Sequence, residues 1–323
     1  MSSAWKSGTA GVSVIIFSWI LCTSSAAQEV VTPTDFIDLA PEDIGESLIA
    51  FINLTTAPGL SGATFSAEQP GRDSEFIRGS MGYASDLTLK DQVLDAYWGV
   101  ALAYGSLEDQ LDVLQQQGEA IRVDADRSIL SLRGSAGLSL PITQHFTLRP
   151  YLSLAASQLE ARSRYEVLGD IGLRPELVLD TEVDAVSTSG TLEASYDRWF
   201  GSHRLEASGQ YTSTYTDTFN GSFDALDTWG WNETALAHVR YSNATGWHTR
   251  NKPWRWNTYA SYTHFIGLDP LPLGFNAYTE LGVGLDFEVN IRPLDWFGLR
   301  FIGLKAGYIF GDGVDGFSVG LSF

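Results

Sequence analysis

The sequence predicts an all-β fold, a transmembrane antiparallel β-barrel of about twelve strands preceded by a short N-terminal helix. Three observations lead there. The chain closes on Gly316-Phe-Ser-Val-Gly-Leu-Ser-Phe323, in which Phe317, Val319, Leu321 and Phe323 share one face of a strand and Ser318, Gly320 and Ser322 the other. With no charge or proline to blunt an exposed edge, this strand calls for a closed sheet. Aromatics and glycine are abundant, with 10 Trp, 13 Tyr, 17 Phe and 32 Gly, yet after residue 27 no stretch reaches the ~18 apolar residues of a spanning helix. Lys6, the apolar run Val12–Leu21 and the small-residue Ser25-Ala26-Ala27 form the layout of a secretory signal peptide.

Taken in order, residues 1–27 read as that signal peptide, 28–58 as a helical segment and 59–323 as the barrel. The lone cysteine, Cys22, falls in the signal, so the mature chain is expected to be free of thiols and stabilised without disulfides. Pro41-Glu42-Asp43 followed by Ile44, Leu48, Ile49 and Ile52 has the spacing of an amphipathic helix with proline and acids in its first turn. It can sit in the periplasm or plug the lumen. Period-two patterning then places strands near 60–68, 74–86, 93–106, 128–140, 144–165, 184–199, 203–216, 231–245, 254–267, 275–290, 296–311 and 315–323. The pattern slips near Ser157-Gln158 and Phe301-Ile302, where bulges are expected. From a periplasmic start, the long connections 107–127, 166–183 and 217–230 all fall on the outer side, and the short 141–143 and 200–202 on the periplasmic side.

This topology sorts the side chains. Trp199, Trp254, Trp256 and Trp296, with Phe323, form a periplasmic girdle; Trp229 and Trp231, with Phe275, Phe310 and Phe317, form an outer one. The lumen face carries Arg78, Arg133, Arg149, Arg204, Arg240, Arg255, Arg300 and Lys305 against Asp95, Glu193, Asp197, Glu206, Glu280, Asp286 and Glu288. Opposite charges this close to balance are expected to pair across strands, closing the lumen or lining a selective pore. The net charge of −19 excludes a phosphate-binding surface and hence nucleic acid. Most of it, −12, lies in 107–127, 166–184 and 217–231, which have no calcium-loop spacing. The five histidines, His145, His203, His238, His248 and His264, are scattered outside any H-E-x-x-H pattern, so no catalytic residue, metal ligand or cofactor is assigned.

Gly82-Tyr83, Tyr97-Trp98-Gly99, Pro150-Tyr151-Leu152 and the closing Ser318-Val-Gly-Leu-Ser-Phe323, with the strand count and the preceding helix, resemble the translocator barrels of autotransporters. More narrowly, the layout is similar to the solitary autotransporter-like barrels of Gram-negative bacteria, with signal, helix and barrel taking up the 323 residues and leaving none for a passenger. The resemblance implies an outer-membrane location and no assigned activity. The expected role is structural or interaction-bearing, with acidic outer loops; a narrow, porin-like channel for small, cationic solutes is the alternative, and a hydrolase the weaker one. The expected partners are outer-membrane lipid and, during assembly, the barrel-insertion machinery. That machinery is expected to read Phe317, Val319, Leu321 and Phe323 as an insertion signal. Accordingly, Phe323→Ala should reduce the heat-modifiable protein recovered from outer membranes, and wild-type recovery of that variant would refute the assignment.

Overall fold

A computed structural model describes residues 41–56, 62–69, 72–88, 94–114, 120–168, 177–222, 226–249, 252–267, 274–288 and 301–322. One helix, α1 (Pro41–Thr56), precedes twelve strands. These are β1 (Gly62–Gln69), β2 (Arg72–Thr88), β3 (Asp95–Leu114), β4 (Ala120–Pro141), β5 (Phe146–Leu168) and β6 (Leu177–Phe200), then β7 (His203–Phe219), β8 (Trp229–Thr249), β9 (Lys252–Ile266), β10 (Ala277–Glu288), β11 (Phe301–Gly311) and β12 (Val314–Ser322). Each strand pairs antiparallel with its sequence neighbour, and β12 pairs with β1 to close the barrel. No described helix is long and apolar enough to cross a membrane. The signal peptide, Trp296, Arg300 and Phe323 lie outside the described residues.

Alternation fixes two faces. On β5 the outward residues Leu148, Pro150, Leu152, Leu154 and Ala156 make an apolar stripe, with Leu152 67 % exposed, while Ser153, Ala155 and Ser157 are buried on the inner face. That stripe spans nine residues, the length a tilted strand needs to cross a bilayer. Beyond it the polarity inverts: Gln158, Glu160, Arg162 and Arg164 face outward and Leu159 is buried within. The same exchange occurs on β2, where Asp73 and Glu75 face out and Phe76 faces in, and on β3, where Glu108 faces out and Leu107 in.

This inversion corrects the expected bulges. The β4–β5 and β10–β11 registers run unbroken through Ser157-Gln158 and Phe301-Ile302. What changes at Ser157-Gln158 is the medium outside the wall, from lipid to water, so the alternation keeps its phase while its chemistry reverses. The one register shift in the β8–β9 pairing is between Ala244 and His248, beside Gly246, whose φ of 81° suits glycine. A second correction concerns the outer connections. Much of 107–127 and 166–183 is strand, because β3–β4 and β5–β6 continue past the apolar stripe as paired hairpins. At about 3.3 Å per residue, the 23-residue β5 is far longer than the bilayer requires.

Closure is the weakest joint. β1 and β12 pair only over Ala63–Ala67 against Val314–Ser318, and Gly316 packs so closely on Thr64 and Phe65 that a Cβ would collide with their backbone. Gly316→Ala should therefore destabilise the barrel by about 1–3 kcal/mol. Gly134→Ala, on the outer wall with nothing within 4 Å, should be neutral. Heat-modifiability on gels after graded denaturation distinguishes the two, and equal behaviour would contradict the tight-seam account.

Candidate functional site

The candidate site is the lumen, built in two layers. The outer layer is apolar. From Leu48 to Thr55 every residue of α1 is 0–6 % exposed, the pattern of a helix surrounded on all sides rather than half-buried on a surface. Around it stands a ring contributed by nearly the whole wall, including Phe65 of β1, Phe76 of β2, Ile129 of β4, Leu159 of β5, Phe265 of β9 and Ile309 of β11. The Phe51 and Phe76 rings meet edge to face at 5.8 Å, and Phe65 packs on Phe76 at 4.6 Å and Phe275 at 5.6 Å. The glycines make room: Gly230 lies against Ile49, and Gly105 against Thr55. The sequence pattern singles out Ile49 and Ile52 as an apolar face, and Phe51 and Leu54 complete the circle.

The helix descends. Phe51 meets Phe76, Thr55 meets Gly105 in the row of Arg78, and the Thr56 carbonyl accepts from Arg133 at 3.0 Å, successively farther from the long hairpins. α1 has no basic residue in its own last turn, and the wall arginine supplies the cation that its C-terminal carbonyls favour.

Below this collar the lumen is polar, and the fixed charges meet in pairs. On one side Arg149 donates to Glu193 at 2.6 Å and to Asp86 at 2.9 Å and covers the Tyr97 ring. On the other, Arg204 holds Asp197 at 2.8 Å and Glu206 at 3.1 Å, and Arg240 bridges Glu206 and Asp286, which also accepts from Asn257. Arg255 donates to the Ser202 carbonyl at 2.9 Å. Glu280 accepts from Tyr259 at 2.7 Å and from Ser318, with Lys305 over the Tyr259 ring. Arg78 is buried near Glu280 and Tyr278, and Asp95 heads the inner face of β3 opposite Ser139. Between the charged sectors, β4 to β7 present paired hydroxyls: Ser131 with Ser157, Ser135 with Ser153, Ser187 with Thr216, Ser189 with Thr214 and Thr191 with Thr212, all at 2.8–3.0 Å.

Trp229 and Trp231 face outward near the outer end, in contact with Tyr215, and Trp254 and Trp256 do so near the periplasmic end. Phe317, Val319 and Leu321 are exposed on the outer wall. Two aromatics are corrected. Trp199 pairs in register with the inward-facing Arg204, and its ring lies under Arg255 at 4.6 Å, so it lines the periplasmic mouth instead of the lipid girdle. Phe275 is buried in the collar. In both cases the residue type suits an interface, while the strand phase or the collar's demand for apolar surface decides the side.

Ser318 lies in Gly316-Phe-Ser-Val-Gly320, the spacing of a hydrolase nucleophile elbow, but here it sits within an extended strand and donates to Glu280, without the strand–turn–helix that activates such a serine. Among the described residues no group of three or more His, Cys, Asp or Glu could hold a metal.

No protein-family model matches the chain, and no curated protein matches it in sequence. Among solved structures it is similar to the translocator domain of autotransporter NalP from Neisseria meningitidis, at 10 % identity and a TM-score of 0.55, over 88 % of this chain and 98 % of that one. It is also similar to the transport unit of autotransporter AIDA-I from Escherichia coli, at 12 % identity and a TM-score of 0.50, over 88 % and 99 %. At these identities the likeness is one of fold: the chain is a transmembrane β-barrel built like an autotransporter translocator domain.

The charge layer yields a contrast. Arg149, whose side chain is 17 % exposed, leaves two carboxylates without their arginine when removed, so Arg149→Gln should cost about 1.5–3 kcal/mol. Arg162→Gln removes the partner of Asp180 in a pair more than 60 % exposed and should change stability by about 0.2–1 kcal/mol. Urea unfolding of the refolded barrels measures both.

Proposed function

We propose that the protein is an outer-membrane barrel held closed by its own N-terminal helix, with a structural or interaction role and no catalysis. The observation that carries this reading is the enclosure of Leu48–Thr55 by an apolar ring drawn from both sides of the wall. Water and ions do not cross such a contact without separating it. The N-terminal end of α1 is its end nearer the outer mouth. Beside it stand the β3–β4 and β5–β6 hairpins, with Glu108, Asp126, Glu160 and Glu182 exposed on their outer face and Glu75 exposed on the adjoining β2. Together these make an acidic platform, for which a basic or cation-bridged partner is the complementary chemistry.

A second reading, a narrow channel opened when the helix moves, is favoured by the hydroxyl-lined wall of β4–β7, which offers a hydrated path below the collar. Planar-bilayer recording separates the two. The full-length refolded protein should show no steady current, while a variant lacking residues 28–58 should conduct ohmically. Phe51→Asp, which places a charge in the collar, should give intermittent openings. Steady ohmic current through the full-length protein would overturn the closed-barrel reading.

A further inference from the structure

Beneath the collar lies a cavity of about 270 Å³ between the β6–β7 wall and the β8–β11 wall. One wall offers the Ser208 hydroxyl and the Gln210 amide oxygen, the amide nitrogen donating to Tyr151 and Thr212, and the other offers His238, Thr263, Tyr278 and Glu280. Its carboxylates are engaged: Glu193 by Arg149, and Glu280 by Tyr259 and Ser318, with Lys305 alongside. The Tyr278 hydroxyl is different. Its ring is packed in the collar against Phe265 and Phe275, the residue is 2 % exposed, and its oxygen has no hydrogen-bond partner of normal geometry. A buried hydroxyl left unpaired costs about 1–3 kcal/mol. This one borders a chamber with room for about nine waters at ~30 Å³ each.

We propose that this chamber is a binding site for a small uncharged polyhydroxylated solute of monosaccharide size, admitted from the periplasmic side. Size suits a guest of that scale, in a chamber of about 270 Å³ that opens on one side to the lumen. Charge sets the class, because the carboxylates are already met by cations and hydroxyls and a charged guest would compete with those bonds. Hydroxyl and amide groups on facing walls suit a ligand that both donates and accepts around its rim. Leu236 and the His238 ring, both lining the chamber, supply the apolar surface that the C–H face of a sugar needs. The outer route is shut by the collar, which leaves the periplasmic mouth, past Trp199 and the Arg149 and Arg240 pairs.

Titration calorimetry on the full-length protein refolded in detergent tests the site, with glucose as probe and with glycine and sodium acetate as charged comparisons of smaller size. Glucose should bind and the other two should not. Tyr278→Phe, which keeps the ring in the collar, should weaken glucose roughly three- to tenfold, the loss of one hydrogen bond. Ser208→Phe, which fills the chamber, should abolish binding while heat-modifiability shows the barrel intact. No heat with glucose, binding of glycine or acetate in its place, or unchanged affinity in Tyr278→Phe would each overturn the proposal. Binding in detergent does not depend on conductance, so a negative result leaves the closed-barrel reading standing, and a conducting full-length protein leaves this one to be decided on its own.

Discussion

The packing of α1 against the inner wall is the contact on which the rest of the structure depends. A membrane barrel is ordinarily apolar outside and polar within; in its outer layer this one is apolar within. Each fully buried Leu, Ile or Phe of the helix contributes about 1.5–3 kcal/mol relative to exposure, and Leu48, Phe51, Ile52 and Leu54 are all in that state. The wall residues they touch have no lipid to face, and among the described residues no other helix covers them. Remove the helix, and Phe65, Phe76, Ile129 and Phe265 border open space. The collar and the helix therefore define each other, and the apolar character of inner-wall positions high on the strands has no other cause.

Below the collar the physics changes from burial to pairing. Charges on the inner wall meet at 2.6–3.7 Å, within a strand, between neighbours and across the lumen, most of them with arginine, whose fork can serve two carboxylates at once. Arg149 and Arg240 each do this: the first ties β2, β5 and β6 together on one side, and the second ties β7, β8 and β10 on the other, by side chains as well as by the backbone ladder. Arg133 belongs to both layers. It stands on the polar wall and binds the last carbonyl of the helix, so one cation serves both the end of the helix and the charged region below it.

Much of this was legible in the sequence because alternation is a local property. The phase of β3, from Asp95 to Gly105, assigns inner and outer faces correctly without knowledge of the partner strands, and the hydropathy of Phe317, Val319 and Leu321 marks the lipid wall directly. What was not legible depends on the medium at a given height. Ser157-Gln158 looks like a slip because apolar is read as outward, whereas Leu159 is apolar and inward and Glu160 polar and outward once the strand has left the membrane. The acidic segments look like loops for the same reason, since Glu108 and Asp109 after Leu107, and Glu182 and Asp184 around Val183, hide a strand whose inner face is buried. Phe275 goes to the collar and Trp199 to the periplasmic mouth because aromatic rings are equally at home at a lipid interface, in a core or beneath a guanidinium.

The short seam follows from the same contact. The helix ends within the lumen, at Arg133, and the chain must join the wall from there. Five residues separate Thr56 from Gly62, and the six steps between them, at about 3.3–3.6 Å each, reach at most about 22 Å. β1 is therefore bound to start close to the depth at which the helix stops, part-way up the barrel, and this leaves it only eight residues before its turn. β12 consequently finds β1 along Val314–Ser318 alone. Phe65 stands at the meeting point: its backbone pairs with Gly316 across the seam, and its ring packs on Phe76, Phe275 and Tyr278 in the collar. A force that withdraws the helix loosens the ring that holds Phe65, and with it the strand that closes the barrel. Plugging and closure are thus one cooperative unit, and the brevity of β1 is the geometric consequence of placing a helix where a membrane barrel would otherwise hold water.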